Sequence, residues 1–121
     1  MQLRFIIAAI TVISLYGCKK DIPEFLCSCQ ELTNHTCFQY KQTIATDPWG
    51  NQGLHTDTLI FNLTQYFNQK GVALISPTLE QANNGNCLTP NFECETGWVY
   101  CVNAIDSSLN TMILNGFLPN N

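Results

Sequence analysis

Residues 5–15, "FIIAAITVISL", are apolar or small without a break and follow one cation, Arg4. A block of about 11 residues has the size of the apolar core of an export signal and falls well below the roughly 20 that span a bilayer as a helix. Beyond it the apolar positions alternate. In residues 36–45, "TCFQYKQTIA", Phe38, Tyr40, Gln42 and Ile44 interleave with Cys37, Gln39, Lys41 and Thr43. Period two with aromatic and β-branched residues predicts a strand. "DPWGNQG" then breaks it with Pro48, Gly50 and Gly53.

The period changes in "TDTLIFNLTQYFNQKG". Leu59, Ile60, Leu63, Tyr66 and Phe67 fall on one face of a helix over residues 57–70. Thr56 or Asp57 is the expected cap, and Gly71 can take the left-handed conformation that ends a helix. "VALIS" predicts a short buried strand stopped by Pro77, and "EQANNGN" a polar loop. "GWVYCVNAI" alternates again as a strand. Asp106 is expected to cap a last helix with Leu109, Met112 and Ile113 inward, closed by Gly116-Phe117 in a Schellman ending. The resulting β-α-β-β-α order predicts an α+β fold: a small two-layer sandwich, disulfide-stapled, with both helices on one face of a three- or four-stranded sheet. A split β-α-β arrangement of ferredoxin-like type is one candidate.

The apolar block ends in Leu15-Tyr16-Gly17-Cys18. This resembles a bacterial lipobox, with Leu three positions before the cysteine and Gly just before it. Tyr16 is bulkier than is usual there. The resemblance implies cleavage before Cys18 and acylation of that cysteine with two or three chains of the palmitate kind, a far stronger anchor than one chain. Residues 1–17 are then a lipoprotein signal peptide, 18–26 the lipidated cysteine and a tether, and 27–121 a single domain. Lys19-Lys20-Asp21 is not the strongly acidic tract linked to surface export. The expected address is therefore the cell envelope, at the outer membrane facing the periplasm or the surface, with the periplasmic side favoured.

Processing would leave 104 residues carrying a side-chain charge of −5. Such a chain is a poor partner for nucleic acid. The expected partners are the lipid bilayer and a protein whose identity the sequence does not give.

Six cysteines follow Cys18: Cys27, Cys29 and Cys37, then Cys87, Cys94 and Cys101. An even number in a small exported domain predicts a disulfide framework. A Cys27–Cys29 bridge would close a tiny strained ring, and 12 of the 15 full pairings avoid it. At least one bridge is expected to join the two trios, because long loops constrain the unfolded chain most. Cys27-Ser28-Cys29 as a redox dithiol is the competing reading, but it has no flanking cation to lower a thiol pKa. Zinc on these cysteines with His35 or His55 lacks the paired C-x2-C spacing.

A second resemblance is carried by Tyr40, Lys41, Gln42, Thr43, Asp47, Pro48, Trp49, Cys94, Thr96, Gly97, Asp106, Gly116 and Phe117. These stand in "YKQTIATDPWG" and "FECETGWVYCVNAIDSSLNTMILNGF", which are similar to the core of small cysteine-rich Bacteroidetes-type lipoproteins with no assigned activity. The resemblance implies fold and address. The cysteine often found before Asp-Pro-Trp is absent here, so it does not carry disulfide pairing over.

No nucleophile elbow, zinc-protease or phosphate-loop motif is present. His55 near Asp57 is conceivable as an acid–base pair but reads as a loop histidine beside a capping aspartate. Glu93 and Glu95, on either side of Cys94, read as a poor carboxylate pair for glycoside chemistry. Trp49 and Trp98 could form a sugar or peptide platform; core or rim packing is the plainer expectation. Asp57-Thr58-Leu59 resembles a short O-glycosylation signal. The expected role is therefore a non-enzymatic binding or structural module with no cofactor. An immunity or inhibitor-type lipoprotein, or a Cys27/Cys29 redox protein, is the alternative.

Overall fold

The computed structural model describes residues 25–87 and 92–120. Cys18, the export signal and most of the tether lie outside the described residues. The elements are β1 (His35–Thr43), α1 (Thr56–Asn68), β2 (Ile75–Gln81), β3 (Glu95–Ile105), a single 3₁₀ turn (Asp106–Ser108), α2 (Leu109–Leu114) and β4 (Leu118–Pro119). The strands form one sheet in the order β2-β3-β1-β4. Every neighbouring pair is antiparallel.

Because β3 lies between β1 and β2 and opposes both, β1 and β2 run parallel, and α1 is the crossover between them. This is the split β-α-β unit. With β4 on the other side of β1, the topology is ferredoxin-like. The fold is α+β, and its fourth strand is the two-residue β4, too short to leave a periodic signal.

Alternation sets the two faces of the sheet. Phe38, Tyr100, Val102 and Ala104 turn toward the helices, where α1 offers Leu59, Leu63 and Phe67 at intervals of four. Met112 and Phe117 complete the same core. The larger of these, the Phe, Leu, Val and Met side chains, contribute about 1.5–3 kcal/mol each on burial.

Trp49, from the turn after β1, is buried in the middle of this layer. Its ring centroid lies 4.8 Å from Tyr40 and 5.6 Å from both Tyr66 and Tyr100. Edge-to-face contacts of this kind add about 0.5–1.5 kcal/mol each beyond area. Core packing is thus where Trp49 goes.

The opposite face is covered by the chain itself. Cys37, Gln39, Cys101 and Asn103 share that face, since Cys37 sits opposite Asn103 and Gln39 opposite Cys101. The segment from Leu26 to Gln30 is bonded to all four. Cys27 is bridged to Cys101 and Cys29 to Cys37. The Leu26 amide donates to Gln39 Oε1 at 2.6 Å, and Asn103 Nδ2 donates to the Gln30 carbonyl at 3.4 Å. Gln39 and Asn103 are buried, so these bonds offset their desolvation.

Both helices end alike. Gly71 and Gly116 have φ of 80° and 90°. Gly71 N–H reaches the Asn68 carbonyl and Val72 N–H the Phe67 carbonyl; Gly116 N–H reaches Ile113 and Phe117 N–H reaches Met112. These are the two bonds of the Schellman motif, and the residue after each glycine folds back into the core.

Several expectations give way. Strand β2 starts at Ile75 and runs through Pro77 to Gln81, rather than occupying residues 72–76. Ser76 has φ +49°, and the pairing with β3 slips between Ile75 and Thr78. Pro77 therefore sits at an irregularity of an edge strand, where a missing N–H costs little. Helix α1 begins at Thr56 with His55 at the cap position and no side-chain cap bond. Asp106 accepts from Thr36 Oγ1 at 2.7 Å, tying the 3₁₀ turn to β1 instead of capping a helix. On the short α2 only Met112 is buried, while Leu109 and Ile113 are 39% and 48% exposed.

Candidate functional site

Two neighbouring features bring polar chemistry together. Next to Thr43 of the first in the chain, and lining the second, stands Gln42, where the β1–β3 register slips between Lys41 and Thr43. A bulge re-aims the side chain it carries. Gln42 is 2% exposed. Its amide donates to the Tyr100 hydroxyl at 3.3 Å, and its oxygen accepts from Thr96 Oγ1 at 2.8 Å. One amide hydrogen and one lone pair are thereby used out of two each.

The first feature is a carboxylate that answers three donors. Asp47 Oδ1 accepts from the Tyr40 hydroxyl at 2.9 Å and from Thr43 Oγ1 at 2.7 Å, and the Thr43 amide donates to both carboxyl oxygens. Burial raises the Asp47 pKa, and the bonds from Thr43 and Tyr40 pull it back. Burial, and then the adjacent Asp47 charge, push the Tyr40 phenol up beyond its ordinary range. Tyr100 is raised by burial, with Gln42 acting against it.

The Trp49 indole N–H lies close enough to Tyr100 to oppose that rise slightly, yet it meets full hydrogen-bond geometry with no acceptor among the described residues. The arrangement around Asp47 fixes the turn after β1.

The second feature is a cavity of about 210 Å³ lined by Gln42, Gln52, Leu54, Thr56, Leu59, Leu79 and Trp98. Its rim is the loop entering α1, held by Gln52 N–H to the Ile44 carbonyl at 3.0 Å. Gly50, at φ +140°, lets that loop close: a Cβ there would stand 2.8 Å from Leu54 Cδ1 and 3.1 Å from Leu59 Cδ2. Trp98 follows Gly97, whose φ of +92° and lack of a Cβ let the Asn83 and Gly85 backbone pass against it. Trp98 is 36% exposed, whereas Trp49 is 3% exposed.

Cavities of about 270 and 250 Å³ flank the amino-terminal strap on the other face. The first takes in Glu31, His35 and Asn120, the second Ser28, Thr78 and Glu80.

The remaining sequence-predicted residues separate. Cys18 lies outside the described residues. Cys87 is bridged to Cys94, so all six later cysteines are paired, and one bridge joins the two trios. Cys27 and Cys29 are bonded to different strands, and the described residues hold no bridge between them. His35 Nδ1 lies 2.7 Å from the Thr33 carbonyl. His55 and Asp57 are both exposed and share no hydrogen bond. Glu95 faces Lys41 at 3.9 Å on the surface. Thr58 is exposed, but Leu59 beside it is 1% exposed.

Among the described residues no group of three metal-ligating side chains converges, and no helix is long and apolar enough to cross a membrane. Sequence reasoning missed the Gln42–Gln52–Leu54–Trp98 grouping, although it raises Trp98, with Trp49, as a candidate platform; Trp49 is in the core, and of the two only Trp98 lines the cavity. Compared with family models, with curated proteins and with solved structures, the chain finds no match.

Proposed function

We propose that this chain is a lipid-anchored envelope protein, tethered through Cys18 at the outer membrane, whose domain is a non-enzymatic binding or structural module. The observation that supports this reading is the cysteine arithmetic. The bridges 27–101, 29–37 and 87–94 use every cysteine after residue 18. That leaves the one cysteine that directly follows the apolar block and Gly17 for a different fate. An oxidised three-bridge domain belongs to an exported protein. Its paired thiols argue against thiol chemistry.

The test is intact mass, with and without reduction, of the full-length gene product purified from membranes of a bacterium that matures lipoproteins. The expected species begins at residue 18, carries acyl mass, and gains six hydrogens on reduction. A Cys18→Ser variant is expected in the soluble fraction. A native chain that begins at Met1, or one that begins at residue 18 with a free thiol and fractionates as soluble, overturns the reading.

A further inference from the structure

We infer that the cavity between the loop entering α1 and the Trp98 end of the sheet binds a neutral saccharide, one pyranose unit at a time. The inference rests on the binding half of the function proposed above, and it is independent of the anchor.

The lining selects the ligand class. All seven residues are uncharged, so an anion or cation entering the cavity would lose hydration with no opposite charge to replace it. Purely apolar ligands fit poorly as well, because the exposed Gln52 and Thr56 would be desolvated without partners. What remains is a neutral molecule with hydroxyls on its edge and C–H groups on its face.

The lining supplies both halves. Trp98 and Leu54, 36% and 44% exposed, offer an aromatic ring and an apolar wall, with Leu59 and Leu79 deeper in. The spare amide hydrogen and lone pair of Gln42 sit on a side chain that is almost completely buried and already clamped by Thr96 and Tyr100. A clamped amide loses little entropy when it binds, as recognition of a hydroxyl pair requires. Gln52 and Thr56 add an amide and a hydroxyl at the rim with no side-chain partner of their own among the described residues. At about 210 Å³ the space falls below the roughly 300–1,000 Å³ of drug-sized pockets, so it suits one ring and leaves a longer glycan to run out over the rim.

The experiment titrates full-length protein, held in a zwitterionic detergent without a sugar headgroup, with glucose, galactose, N-acetylglucosamine and their disaccharides. Tryptophan fluorescence and the two indole N–H resonances report binding. At least one sugar is expected to bind saturably with a Kd of about millimolar, as suits a single-ring site. The Trp98 indole should shift while that of buried Trp49 stays. Trp98→Ala should weaken binding at least about tenfold and Trp98→Phe, which keeps an aromatic face, by only about threefold. Gln52→Ala should also weaken it, and Phe61→Ala, on the exposed side of α1, should not.

Several results would each overturn the inference. One is no saturation by any of these sugars to about 100 mM in protein whose disulfides and spectrum are intact. Another is undiminished binding by both Trp98→Ala and Gln52→Ala. A third is a Trp98 shift produced by inorganic phosphate or acetate and by no sugar. Should Trp98→Ala fail to fold, Trp98→Phe and Gln52→Ala decide between the outcomes. None of these results bears on whether Cys18 is acylated.

Discussion

The Tyr40 hydroxyl donates to Asp47 Oδ1 across 2.9 Å, and the bond closes the turn by which the chain leaves β1. Asp47 also holds the Thr43 hydroxyl and amide, so one carboxylate answers three donors. Replacing it by alanine strands those donors in a half-buried turn and should cost about 2–4 kcal/mol in urea melts. Asp47→Asn keeps one oxygen for Tyr40 and Thr43 and should cost less than half of that. Equal losses would show that the donors find water instead.

The pH dependence has a sign opposite to that of a salt-bridged carboxylate. Burial raises the Asp47 pKa above its unfolded value. Its contribution is then greatest below the unfolded pKa, near 3.8, and is lost as pH rises through the folded pKa. Wild type should therefore gain stability relative to Asp47→Asn as pH falls from 7 toward the unfolded pKa. Melts of the two proteins across that interval check it, and a gap that moves the other way would refute the burial argument.

The bridges differ in what their removal costs. Cys27–Cys101 closes a span of 74 residues and Cys87–Cys94 a span of 7. Loop-closure entropy assigns about 4 kcal/mol to the first and about 2 kcal/mol to the second. The paired Ser variant at 27 and 101 should melt well below the one at 87 and 94 under non-reducing conditions. Equal losses would place the stabilisation outside chain entropy.

Gly97→Ala should destabilise the domain by at least about 2 kcal/mol. Its φ of +92° disfavours any side chain, and the new Cβ would stand 2.6 Å from the Gly85 nitrogen. Thermal melting of the oxidised protein checks this. Gly53→Ala, which meets nothing within 4 Å, is the control and should stay near wild type.

The two tryptophans should separate in acrylamide quenching. Trp98 is reachable at 36% exposure and Trp49 is enclosed at 3%. Trp98→Phe is expected to remove the quenchable component and leave a protected one. A single uniform component in wild type would contradict the burial of Trp49.

What could be read in advance followed from period. Alternation through Phe38 and Tyr40, and again through Tyr100 and Val102, reports a strand with one buried face, and Leu59, Leu63 and Phe67 report a helix. These are local consequences of side-chain direction. Contacts made at a distance left no such trace. Asp106 looks like a cap until the fold brings Thr36 beside it, 70 residues away in the chain. Pro77 looks like a stop until β2 proves to be an edge with a bulge at that point. Ile113 belongs to a helical stripe, but α2 spans only six residues and buries one of them. The Trp98 cavity depends on the loop around Gln52 reaching the end of β3, and the pattern of either segment alone carries no sign of it.

The crossing of residues 27–30 over the sheet has a mechanical consequence. Traction on the chain upstream of Cys27 is handed through sulfur to Cys101, in one of the two inner strands. Residues 28–100 lie inside that covalent ring and are shunted out of the load, whereas the chain after Cys101 lies outside it. Traction from the amino end therefore hauls on the middle of the sheet instead of peeling a border strand.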